Sequence, residues 1–112
     1  SDIAELGACL EESFSSLRLM GIECALTAPA GERIYVRDAV RIYSFFESII
    51  EACVDSIKFM WVKIRPCGEE MVFCMEVESE DDLNSFFNKT DQGKNEDGIW
   101  KFTFTIKKAG EK

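Results

Sequence analysis

Apolar residues recur at Ile3, Leu6, Cys9/Leu10, Phe14, Leu17 and Met20, with gaps of three to four. That spacing places them on one stripe and predicts a helix over 2–20. Gly21 marks its stop, since a glycine just past the last turn takes the left-handed backbone that closes helices. Residues 22–28 alternate apolar and less apolar positions and read as a strand, which Pro29 and Gly31 break. The densest pattern predicts a helix over 37–58, with Asp38 as cap or first-turn acid. Val40, Ile42, Tyr43, Phe45, Phe46, Ile49, Ile50, Cys53, Val54 and Ile57 leave it one narrow polar face of Arg41, Ser44, Ser48, Glu51, Asp55 and Lys58. A helix that apolar belongs in a core.

Residues 59–66 and 71–78 flank a short turn containing Gly68 and predict a hairpin. In its second strand Met71, Phe73, Met75 and Val77 share one face. Ser79 followed by Asp82 resembles a capping box, so a short helix is expected across 79–87. Residues 88–98 read as a polar loop. Residues 99–108 predict a last strand, with Trp100, Phe102, Phe104 and Ile106 inward and Lys101, Thr103, Thr105 and Lys107 in water. The order is α-β-α-β-β-α-β. One-sided strands need helices over their apolar face. The expected fold is α/β in the α+β sense: a two-layer sandwich with a mixed, mainly antiparallel sheet of about four strands and helices on one face. One domain spans 1–112, with 1–20 as a linking helix and 21–108 as the sandwich core. A chain opening on Ser1 rather than Met is read as part of a longer protein.

Charge and residue usage narrow the chemistry. The net charge is −8, and the basic residues are scattered, with Lys107-Lys108 as a basic pair at the C-terminal edge. Nucleic-acid binding is not expected without a basic footprint. The chain has no histidine, which removes the usual general base, the usual zinc ligand and the phosphoacceptor of a sensor kinase. Cys9, Cys24, Cys53, Cys67 and Cys74 are odd in number and contain no CxxC pair. They fit a reducing, cytoplasmic compartment, with Cys67 in the hairpin turn as the most exposed thiol. No apolar run reaches the ~20 residues a membrane span needs, so no direct membrane insertion is expected.

Four stretches resemble the C-terminal ATP-binding domain of bacterial sensor histidine kinases, in the GHKL ATPase family. "LRLMGIECAL" is similar to the helix leading into the first strand. "RIYSFFESIIEACVDSI" resembles the family helix of the type L-Y-x-x-x-x-E-x-x-x-N-A-x-x-H. "VKIRPCGEEMVFCMEVE" resembles the hairpin that follows, and "DGIWKFTFTIKKAGE" the closing strand and tail. The resemblance covers most of residues 17–110. It implies a fold that holds ATP and magnesium, with an Asn as magnesium ligand, a Glu one turn earlier, and an Asp-x-Gly-x-Gly motif after the hairpin.

This chain departs from that pattern at each position. With Tyr43 on the family tyrosine, Ala52 stands at the Asn and Ser48 at the Glu. A methyl group cannot ligate a hard cation that requires oxygen. A one-residue slip would bring Glu51 and Glu47 to the Asn and Glu, but it puts Phe46 and Tyr43 at polar positions, so the apolar stripe favours the first register. After the hairpin stands "ESEDDLNSFF", with acids but no glycine to let a ligand approach the backbone. Residues 79–98 are also too few for a lid, a helix and a further strand.

Sharp and plain readings compete for several groups. Glu47 and Glu51 have the spacing of a shared metal or acid–base pair, yet helix carboxylates usually form a solvated face. The run Glu76, Glu78, Glu80, Asp81 and Asp82 could hold calcium, but it lacks the glycine and ligand order of a calcium loop. Trp61, Trp100, Phe45, Phe46 and Phe59 read as core before they read as a ligand pocket. The leading expectation is a degenerate sensor-kinase ATP-binding domain that acts in two-component signalling by protein contact. It would have no resident cofactor and no catalytic or metal-binding residues. Its partners would be other domains of its parent sensor protein or a signalling partner, with a homodimer through residues 1–20 as an option, since Leu6, Leu10 or Phe14 could be exposed. The alternatives are residual nucleotide binding through Glu47, Glu51 and Glu78, and an unrelated small-ligand or partner module on the same architecture.

Overall fold

A computed structural model describes residues 2–110. Helix α1 spans Ile3–Leu19, strand β1 Glu23–Thr27, helix α2 Val36–Cys53, β2 Phe59–Cys67 and β3 Glu70–Glu78. A 3-10 helix follows at Asn84–Lys89, then β4 at Gln92–Glu96 and β5 at Ile99–Lys107. The strands form one sheet in the order β1-β2-β3-β5-β4, with β1 parallel to β2 and the other pairs antiparallel. Both α-helices pack on one face, giving the expected mixed two-layer sandwich.

Local chemistry sets the boundaries. Asp2 caps α1: its carboxylate accepts from the Ala4 amide at 2.7 Å, and the Glu5 carboxylate accepts from the Asp2 amide at 3.1 Å. At the other end Gly21 takes φ +87, so the Ile22 amide reaches the Leu17 carbonyl at 3.2 Å and the Gly21 amide reaches Arg18 at 3.0 Å. This is the double closure of a Schellman motif, with buried Ile22 and Leu17 as its apolar contact. The β2–β3 turn is Gly68-Glu69, with positive φ at Gly68 alone, the type II′ requirement.

Three sequence expectations change. The sheet has a fifth strand, β4, inside the stretch read as a polar loop. Its five residues are all exposed, so no burial pattern marks it. Asp97 and Gly98 both take positive φ, the type I′ turn that joins β4 to β5. Helix α2 stops at Cys53, not at residue 58, because Ser56 turns out to bond residues beyond β3 and Ile57 enters the core. Ser79 and Asp82 do not form a capping box. Ser79 Oγ accepts from the Asp81 amide and the Asp82 carboxylate from the Asn84 amide, two tight local turns that delay the short helix to Asn84.

The core joins α1, α2 and the inner sheet face. Phe45 is its hub, with ring contacts to Phe73, Phe86, Phe102 and Phe104 at 5.5–6.1 Å. Leu6, Leu10 and Phe14 of α1 are buried there. They are therefore not available to a dimer contact through residues 1–20, which corrects the expectation that they could be exposed. Val40, read as part of the apolar stripe of α2, stands 58% exposed.

Candidate functional site

Helix α2 carries the positions that the kinase resemblance singles out. Phe46 is buried and Tyr43 half-buried, its hydroxyl 2.8 Å from Ser13 Oγ. That placement is the one the first register requires, with Ala52 exposed at the last turn and Ser48 one turn earlier.

Beyond that last turn a compact polar cluster ties α2 to the exit of β3. Ser56 Oγ lies 2.7 Å from Ser79 Oγ and donates to the Asp81 carboxylate at 2.7 Å. Ser79 is 3% exposed, and its carbonyl accepts from the Trp100 indole N–H at 3.3 Å. Its amide donates to the Gly98 carbonyl at 3.0 Å. Leu83 follows, fully buried, and Phe86 and Phe87 pack against Phe102 and Trp100. The segment after the hairpin thus spends its acids and hydroxyls on the chain itself. Cys53 sits behind this cluster with its thiol donating to the Ile49 carbonyl at 3.2 Å. Burial pushes that thiol above its ordinary value, a hydrogen bond with Ser79 offsets part of the rise, and the Asp81 charge adds to it. A thiol so held is protonated and unreactive at neutral pH.

The carboxylates singled out in the sequence do not converge. Glu47 and Glu51 are exposed on the flank of α2 that meets α1, lining a shallow depression with Ser13, Ser16 and Ile50. Glu78 lies at the end of β3 beside Lys58, Glu80, Asp97 and Gly98. Among the described residues, no group of three or more carboxylates or thiols comes together as a metal site. Glu76 is paired with Lys63 at 2.7 Å on the outer sheet face, beneath a Lys63–Trp61 cation–π contact. Cys67 is exposed, as expected, and so is Cys9.

Two further surfaces were not singled out from sequence. Leu6, Cys9, Val36, Ala39, Val40 and Tyr43 line an apolar groove of about 400 Å³ between the helices. On the opposite flank of α2, Arg41, Ser44 and Ser48 face Lys89 across a concavity floored by Phe45 and Phe104. The signal for the second was present: Arg41, Ser44 and Ser48 share the polar stripe of α2. Its partner Lys89 lies in a stretch whose placement no sequence pattern fixes.

A mixed sheet with its helices on one face and a βαβ start is also the fold of solved histidine kinase structures. The chain superposes on the histidine kinase AdeS of Acinetobacter baumannii with a TM-score of 0.67 at 14% identity, covering 95% of this chain and 64% of that one. A nucleotide-free catalytic domain of histidine kinase ThkA gives 0.66 at 12% identity, covering 99% and 97%. ThkA in complex with the response regulator protein TrrA gives 0.56 at 13% identity, covering 96% and 39%. The chain therefore spans just under two thirds of the AdeS chain. No protein-family model and no curated protein matches the sequence. Identities this low establish the fold and leave the chemistry to the residues themselves.

Proposed function

We propose that this chain is a degenerate ATP-binding domain of a bacterial two-component sensor protein, acting in signal transduction by protein contact and not by catalysis. The observation that carries the reading is the closed end of α2. Ala52 offers a methyl group where the resembled family has its magnesium ligand, and the Ser56–Ser79–Asp81 cluster bonds the buried Ser79 hydroxyl and the Asp81 carboxylate to the chain itself. Buried Leu83 follows this cluster, and Phe87 packs on Trp100, whose indole bonds the Ser79 carbonyl. These residues do not fit a magnesium–nucleotide, which needs oxygen ligands and close backbone approach.

The contact role draws support from two sides. ThkA is known in complex with a response regulator, which makes another signalling protein or a domain of the parent sensor a natural partner. Val36 and Val40 stand 65% and 58% exposed in the groove between the helices, an apolar surface of the kind that protein contacts cover. No helix among the described residues is long and apolar enough to cross a membrane, and the domain is proposed to work in the cytoplasm.

Calorimetric titration with ATP and ADP, with and without magnesium, tests the proposal. The expected result is no magnesium-dependent binding tighter than about 100 µM. Magnesium-dependent binding above that strength, lost in Glu51→Ala or Glu47→Ala, would overturn it and make those carboxylates, with Glu78, the surviving ligands.

A further inference from the structure

The concavity between residues 41–48 of α2, the 3-10 helix and β5 has a volume of about 370 Å³ and is lined by Arg41, Ser44, Phe45, Ser48, Lys89 and Phe104. The Arg41 guanidinium is held in place: its carbon lies 3.8 Å above the Phe104 ring centroid, and Nη2 donates to the Lys89 carbonyl at 3.5 Å. A guanidinium has five N–H donors, so most of its fork remains open. The Lys89 ammonium lies 5.8 Å from the Phe86 ring. Among the described residues, no carboxylate lies within 4.0 Å of either cation. The Ser44 and Ser48 hydroxyls make no hydrogen bond within the protein among the described residues, in contrast to Ser13, Ser15, Ser56 and Ser79.

We infer that this concavity binds a small organic phosphate monoester without magnesium. The phosphate would lie against Arg41, Lys89 and the two serine hydroxyls, and the apolar part against Phe45. Two cations, one of them held on Phe104, match the roughly −1.5 to −2 charge of a phosphate monoester at neutral pH. They overbalance a carboxylate and fall short of a triphosphate. An Arg fork beside hydroxyl donors suits a group with three acceptor oxygens. Ser48 stands where the favoured register sets the family's Glu, one turn before Ala52, so the concavity adjoins the closed end; it uses neither Ala52 nor the Ser56–Ser79–Asp81 cluster.

The test is a magnesium-free titration with phenyl phosphate, read by calorimetry, beside inorganic phosphate, benzoate and phenol. Phenyl phosphate should bind saturably with a Kd near or below about 1 mM, more tightly than inorganic phosphate, benzoate or phenol. Loss of a charge-assisted contact should weaken it about tenfold or more in Arg41→Gln and in Lys89→Gln. Because Arg41 also covers Phe104, the Lys89→Gln variant, at an exposed side chain, supplies the second readout. Lys101→Gln, on the outer sheet face, should leave binding unchanged. No saturable binding by about 10 mM, equal affinity for benzoate, or affinity indifferent to Lys89→Gln would overturn the inference.

Discussion

Two regions of α2 handle polar groups in opposite ways. At its C-terminal end, Ser56, Ser79 and Asp81 bond one another, followed by buried Leu83 and by Phe87 packed on the Trp100 ring that bonds Ser79. Earlier in the helix, over residues 41–48, Arg41, Ser44 and Ser48 face Lys89 around an open concavity, and the two serines bond nothing in the protein among the described residues. Buried polar groups must be satisfied internally, whereas a set left unsatisfied at a fixed geometry is available to a ligand. The same helix thus shows one polar cluster satisfied from within the chain and one surface that remains open, and the difference lies in what each region gains from its own chain.

Four perturbations probe this contrast, in falling order of size. Phe45→Ala removes the ring on which both regions rest. It should cost about 3–5 kcal/mol in chemical denaturation, a large share of a small domain's stability. Ser79→Ala strips the closed end of a buried hydroxyl that bonds Ser56 and the Asp81 amide. It should cost about 1–3 kcal/mol, and an unchanged midpoint would mean that the cluster is incidental. The third probe is alkaline pH. Burial raises the Cys53 thiol above 9.0, and the Cys24 thiol is raised mainly by burial as well, against the opposing pull of Arg18. A thiol raised in the folded state contributes stability that is full below its unfolded value and is lost as pH climbs through its folded value. Unfolding free energy should therefore decline above pH 9.0, with a shallower decline in Cys53→Ala. Smallest of all, Ser44→Ala and Ser48→Ala at the open concavity should change stability by less than about 0.5 kcal/mol, since neither hydroxyl bonds the protein. Losses equal to that of Ser79→Ala would erase the distinction between the two regions.

Sequence periodicity carried the fold a long way, for a physical reason. Strands β2, β3 and β5 each have one buried face, so alternation records their direction and register, and inward Trp100, Phe102, Phe104 and Ile106 were legible without coordinates. Strand β4 was not, because an edge strand of exposed polar residues has no apolar face to record. The Asp97-Gly98 pair before the alternation of β5 was the available sign of a hairpin. The end of α2 was misplaced because Val54 and Ile57 extend the apolar pattern while Ser56 is drawn off by Asp81, a tertiary bond that periodicity does not encode. The departures from the kinase motif at Ala52 and after Glu78 were readable one residue at a time. Which hydroxyls would bond each other, and that Glu47 and Glu51 would line a different depression from Glu78 and Lys58, depended on the assembled fold.

The most direct test of the central claim is an amide-resolved NMR titration of the domain with magnesium–ATP. The closed-end account predicts that the amides of Ala52 and of residues 79–82 stay unshifted to millimolar nucleotide, while any magnesium-independent shifts gather around Arg41, Ser44, Ser48 and Lys89. Saturable, magnesium-dependent shifts at Ala52 and residues 79–82 would contradict it and restore this end of α2 as a nucleotide site.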